Sequence, residues 1–193
     1  MTTIDNEVFR SINNLAGRND VLDYLGIFIS KYTIFILAAF LIFQWFYKRQ
    51  DSSYRKVLIL SLLTFIVAEI LAKGLGQLYE HLQPFAVLPE VNQLIEKEVN
   101  NSFPSDHTVL FFSILTPLFL YSGIKGKVLC FFSALLVGIS RIFVGVHYPS
   151  DVVAGGLLAI VVGILIYRGL FSSKIMNQLV AFIEKLETKL LSR

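Results

Sequence analysis

Five stretches of this chain are long and apolar enough to cross the hydrocarbon core of a bilayer, which takes about 20 helical residues: residues 24–46, 57–79, 108–122, 128–144 and 152–170. The third is the shortest and needs its neighbours to complete the crossing. Backbone in lipid must satisfy its own hydrogen bonds, so the expected fold class is all-α. The predicted architecture is a polytopic transmembrane helix bundle of about five to six helices, including an N-terminal interfacial helix. Composition agrees, with 55% hydrophobic and 16% charged residues against about 25% charged in an average soluble domain. A soluble secreted hydrolase is excluded.

The flanks read differently from the spans. Val8, Ile12 and Leu15 recur at helical spacing, with Leu22 beyond a break at Gly17, which predicts a surface helix within residues 1–22. Residues 172–193 alternate apolar and charged side chains and predict a C-terminal amphipathic helix after the 24–170 bundle. The whole reads as one membrane-embedded domain. The first twenty residues lack the basic and apolar pattern of a cleavable signal and are expected to stay attached. Cys130 is the single cysteine, which excludes an internal disulfide and any cysteine-based metal site.

Basic residues set the orientation. Lys48, Arg49, Arg55, Lys56, Lys125, Lys127, Arg168, Lys174, Lys185, Lys189 and Arg193, eleven in all, fall on one side; Arg10, Arg18, Lys31, Lys97 and Arg141, five, fall on the other, and Lys73 lies inside the second run. The richer side is expected to be cytoplasmic. The N-terminus and the loops at roughly 80–106 and 141–151 then share the non-cytoplasmic face. The basic residues form no face interleaved with aromatics, so no nucleic-acid partner is expected despite the net charge of +3.

Two polar strings interrupt this apolar chain: Ser102-Phe103-Pro104-Ser105-Asp106-His107, and Ser140-Arg141, five residues, His147, three residues, Asp151. Ionisable groups at a membrane boundary are costly unless they are paired or used. Pro104 suits a first helical turn, and Ser102 or Asn101 is placed to cap it. The free amides of that helix would form an anion site, with Ser105 adding a hydroxyl and Arg141 a bidentate cation. His147 can act as a nucleophile if its other ring nitrogen is held by Asp151, one helical turn on. His107 is then free to protonate a leaving oxygen. Asp106 fits a helix-end role and a catalytic one equally well. Glu69, four residues before Lys73, is expected to pair with it, with a proton-handling role as the alternative. A short amphipathic stretch around 91–99 could form part of a lid.

These strings resemble the second and third motifs of the type 2 phosphatidic acid phosphatase superfamily: Pro-Ser-Gly-His, and Ser-Arg, five residues, His, three residues, Asp. The third is matched in full from Ser140 to Asp151, and the second as Pro104-Ser105-Asp106-His107. The fuller string from Ser102 points to the bacterial undecaprenyl pyrophosphate phosphatases of the bacitracin-resistance kind. The resemblance covers roughly residues 55–170. It implies hydrolysis of undecaprenyl pyrophosphate to the monophosphate without metal or other cofactor. His147 would carry the phosphoryl group, oriented by Asp151; His107 would be the acid; Arg141, Ser105 and Ser140 would surround the phosphate. The expected partners are thus the lipid pyrophosphate and membrane lipids, with a homo-oligomer left open.

The chain departs from the superfamily at its first motif, Lys, six residues, Arg-Pro. With Pro84 aligned, Gln83 stands at the arginine position and Gly76 at the lysine position. Lys73 and Gln83 are the candidate substitute phosphate ligands, with His81 a further hydrogen-bond donor. Two rivals stay open: a phosphatase for phosphatidic acid, phosphatidylglycerophosphate or lipid A, and a non-catalytic lipid-phosphate binder.

Overall fold

The computed structural model describes residues 2–191, so the last two residues of the expected C-terminal segment lie outside the described residues. Eight helices form among the described residues: α1 (Thr3–Asn13), α2 (Asp20–Tyr47), α3 (Ser52–Leu78), α4 (Pro84–Val87), α5 (Asp106–Tyr121), α6 (Ile124–Phe143), α7 (Pro149–Leu170) and α8 (Lys174–Leu191). Four of these, α2, α3, α6 and α7, are long and apolar enough to cross a membrane. α5 has 16 residues, about 24 Å at 1.5 Å per residue, short of a 30 Å core, as its shorter apolar run predicts.

Local chemistry sets the starts. Asn19 accepts hydrogen bonds from the Val21 and Leu22 amides at the head of α2, and Asp51 does the same for the Tyr54 amide of α3. The break between α1 and α2 falls at Gly17, whose φ of +77° suits glycine.

α5 is the hub, packed by α3, α6 and α7, while α2 leans mainly on α6. The shared core holds Leu58, Phe111, Ile114, Leu118 and Val137. Gly163 of α7 allows that helix to pass close to α5, since a Cβ there would sit 2.8 Å from the Thr116 side chain. The outer face of α2 exposes Phe28, Phe35, Phe43 and Phe46, an apolar surface suited to lipid. α1 covers the ends of α6 and α7, with Phe9 buried against Tyr148 and Val8 exposed. At the opposite end, α8 packs on α3, where Arg55 and Glu187 form a 2.5 Å salt bridge.

Residues 88–105, which include the amphipathic stretch around 91–99, run without a helix. That stretch is tied down by tertiary bonds instead. The buried Asn13 side chain donates to the carbonyls of Asn92 and Phe143, both at 2.9 Å, and accepts from the Asn92 amide at 3.0 Å. The Leu94 amide adds a bond to the Val144 carbonyl, and Ile95 is buried with Val144 and Val146.

Candidate active site

After α6 the chain turns at Gly145, with φ of +85°, a conformation that glycine adopts without a Cβ clash. That turn delivers His147 to a buried position just ahead of α7. Tyr148 is the extended N-cap of α7, Pro149 opens the first turn, and the Asp151 carboxylate folds back to accept from the Tyr148 amide at 2.9 Å. His147 and Asp151 therefore face each other across a helix start, not along one helix face as their spacing suggested.

Their immediate link is Ser102. Its hydroxyl donates to Asp151 Oδ2 at 2.6 Å, and its carbonyl lies 2.9 Å from His147 Nδ1. Asp151 Oδ2 is 3.5 Å from the same nitrogen. A carbonyl can only accept, so Nδ1 carries the proton and donates to it. On the other side of the ring, the Lys97 ammonium is 2.9 Å from Nε2. An ammonium can only donate, so Nε2 is unprotonated and its lone pair accepts from Lys97. The neutral tautomer with a nucleophilic Nε2 is thus fixed from both sides.

Electrostatics support that state. Burial, reinforced by the positive charges of Lys97 and Arg141 and opposed by Asp151, pulls the His147 imidazole down to about 4. Burial first, then repulsion from Arg141, lowers Lys97 to about 8, with Asp106 and Asp151 acting the other way. His81 approaches Asp151 Oδ1 to 2.9 Å, but out of line, so neither atom is hydrogen-bonded. Burial depresses its protonation as well.

The string 102–107 closes the site from the opposite side. Ser105, not Ser102 or Asn101, is the N-cap of α5, and Pro104 lies outside the helix behind a cis peptide. The reason is tertiary: the Ser105 amide bonds to the Asp151 carbonyl at 3.2 Å, and Ser102 is taken up by Asp151 and His147. The Ser105 hydroxyl accepts from Thr108 at 3.0 Å and makes no capping bond, which leaves the first-turn amides of α5 without a side-chain cap. Asp106 is exposed in that turn. His107 follows it, with Arg141 and Lys97 as charged neighbours, the same two that act on His147.

Arg141 is buried in the last turn of α6 and donates Nη1 to the Ser30 carbonyl and hydroxyl of α2. Its Nε is buried without a hydrogen bond. Ser140 bonds back to the Val137 carbonyl at 2.7 Å. Gln83 is fully buried and clamps the loop, donating to the Glu98 carbonyl and the Asn100 side chain and accepting from the Asn100 amide. Lys73 turns outward, its side chain 72% exposed, and meets Glu69 at 3.4 Å. A lysine at position 76 has no room, because a Cβ on Gly76 would lie 2.7 Å from the Phe103 carbonyl.

Two groups were invisible to spacing rules. Lys97 counted as a loop charge and Ser102 as a cap. Each finds its partner 45 to 50 residues away.

The chain is similar to known proteins in sequence and in fold. The PAP2 superfamily pattern matches residues 57–174. A Bacillus licheniformis protein named bacitracin transport permease protein BcrC is 40% identical over 95% of this chain and 89% of its own length. The undecaprenyl-diphosphatase BcrC of Bacillus subtilis strain 168 is 35% identical over 84% of this chain and 82% of its own. Among solved structures, that of Aquifex aeolicus LpxE is similar at a TM-score of 0.73 and 29% identity, covering 86% of this chain and 96% of that one.

Proposed function

Because this chain belongs to the PAP2 superfamily, we propose that it is a lipid pyrophosphate phosphatase that hydrolyses undecaprenyl pyrophosphate to undecaprenyl phosphate and orthophosphate. It is a multi-pass membrane protein. The active site and N-terminus face the non-cytoplasmic side and the C-terminus the cytoplasm, a reading supported by the asymmetry of Lys and Arg. The substrate leaves its tail in lipid and offers its phosphates at the water boundary. Release of the carrier feeds cell-envelope synthesis and removes the pyrophosphate form that bacitracin captures.

The observation that carries the mechanism is the His147 tautomer, with Nδ1–H given to the Ser102 carbonyl and Nε2 unprotonated, its lone pair shared only with the Lys97 ammonium. Nε2 forms a bond to the terminal phosphorus while the bond from phosphorus to the bridging oxygen breaks. His107, held down to about 3 by burial and by the charges of Arg141 and Lys97, takes up a proton once the substrate phosphates offset those charges, and gives it to the departing lipid phosphate. The imidazolium so formed is stabilised by the Ser102 carbonyl and by Asp151. Water then attacks the phosphohistidine, gives its proton to His107, and orthophosphate departs. The role of anion binder is assigned to the uncapped amides of α5 and to Arg141, whose Nη1 is held by Ser30 and whose buried Nε makes no hydrogen bond. Ser105 and Ser140 complete the expected set, although the Ser140 hydroxyl is bonded to the Val137 carbonyl.

The test is phosphate release from undecaprenyl pyrophosphate by the purified protein without added divalent metal, run beside phosphatidic acid, phosphatidylglycerophosphate and lipid A. Turnover is expected to be highest on the pyrophosphate and abolished in His147→Ala. Preference for another lipid reassigns the substrate. Undiminished release in the variant removes the mechanism. The transport name of the B. licheniformis relative favours a second reading, a non-catalytic binder, which predicts no release by the wild type.

A further inference from the structure

We propose that Lys97, carried on the irregular loop between α4 and α5, is the cation that receives the phosphoryl group beside His147, in place of the lysine and arginine absent from positions 76 and 83. The inference rests on the reading of this site as a phosphatase. Its ground is geometric: the ammonium lies 2.9 Å from Nε2, the atom that would bond to phosphorus. A phosphorus attached there brings its oxygens into the space the ammonium borders. The ammonium then exchanges the lone pair of Nε2 for phosphoryl oxygens, which frees the nucleophile as the substrate arrives.

The loop is built to hold Lys97 there. On one side Ile95 is buried with Val144 and Val146, and Asn13 ties Asn92 to the turn that carries His147. On the other side Gln83 grips Glu98 and Asn100. The position at which the superfamily has arginine thus serves as a clamp for the segment that supplies a lysine. Lys73 is no rival in this geometry, since it faces outward to Glu69.

The groups that act on the Lys97 charge are Arg141, Asp106 and Asp151, together with the two histidines that it influences in turn. With the ammonium lowered to about 8, kcat/KM falls as pH rises through that value, because the uncharged amine no longer binds the anion.

The experiment compares wild type, Lys97→Met, Lys97→Arg and His147→Ala on undecaprenyl pyrophosphate across pH, with orthovanadate-induced thermal shift as a second readout. Loss of one preorganised charge stabiliser lowers kcat/KM about 100- to 1000-fold, so Lys97→Met is expected in that range with its vanadate shift gone. Lys97→Arg keeps activity within about tenfold and moves the alkaline limb up by at least about one pH unit, as arginine stays charged. A purely structural lysine would not move that limb. The proposal is overturned if Lys97→Met keeps wild-type kcat/KM and vanadate shift, or if the limb of Lys97→Arg stays near 8. Release by His147→Ala at the wild-type rate would sink the histidine mechanism instead, and the vanadate shift would still decide whether Lys97 holds the anion.

Discussion

Ser102 holds Asp151 by a 2.6 Å hydrogen bond from its hydroxyl while its own carbonyl receives the His147 ring at 2.9 Å. One residue from the second polar string therefore orients both partners from the third. A hydrogen bond to a charged group contributes roughly 1.5–3 kcal/mol. Ser102→Ala, which keeps the carbonyl and loses the hydroxyl, is expected to lower kcat about 10- to 100-fold with KM little changed, measured by phosphate release. A kcat within twofold of wild type would show that Asp151 is held without it.

The absent first-motif lysine has a packing cause. Gly76 faces the Phe103 carbonyl so closely that any Cβ would meet it at 2.7 Å, with the Asn101 side chain at 3.1 Å. Backbone cannot yield as a flexible side-chain tip can. Gly76→Ala is expected to destabilise by about 1–3 kcal/mol, and Gly76→Lys to lose activity instead of improving it, read by thermal unfolding in detergent and by turnover. Unaltered unfolding in both variants would mean that the 101–103 segment shifts freely.

Much of this architecture was legible beforehand. The spans were readable because lipid demands long uninterrupted apolar runs, and α2, α3, α6 and α7 begin and end within a few residues of them. His147 and Asp151 were readable because a short separation keeps them near each other in any fold. Ser105 as the N-cap of α5 was not, because its bond to the Asp151 carbonyl is tertiary, whereas capping rules read local side-chain bonds. Lys97 was hidden for the same reason. Its contact to His147 depends on how the loop is fastened, and neither Asn13 nor Gln83 carries a pattern that announces a clamp.

The acid response follows from the depressed His147. Above about 6.5 neither the folded nor the unfolded ring is protonated, and the group leaves stability unchanged. Between about 6.5 and about 4 the unfolded chain takes up the proton and the folded one does not, so stability falls through that window and levels off below it. His81, also lowered by burial, acts in the same direction. Thermal midpoints recorded from pH 7.5 down to 4.5 should fall in the wild type and fall less in His147→Gln. An equal decline in both would place the titration elsewhere.

Asn13, at the end of α1, joins that helix to two other parts of the chain near the site, since Asn92 of the loop and Phe143 at the end of α6 both bond to its side-chain amide. Its side chain is buried, and its donor hydrogens go to the carbonyls of Asn92 and Phe143. In Asn13→Ala both carbonyls lose that partner away from solvent, at roughly 1–3 kcal/mol for a buried unsatisfied group, and the loop that carries Lys97 loses its anchor on that side. The expected result is a lower thermal midpoint, faster proteolysis within residues 88–105, and a fall in kcat/KM larger than in kcat, because the loop must be ordered before it receives substrate. Asn13→Asp keeps the acceptor for the Asn92 amide but not the donor, so it should resemble Asn13→Ala. If proteolysis of the loop is unchanged in both variants while the midpoint drops, the anchor holds α1 and not the loop.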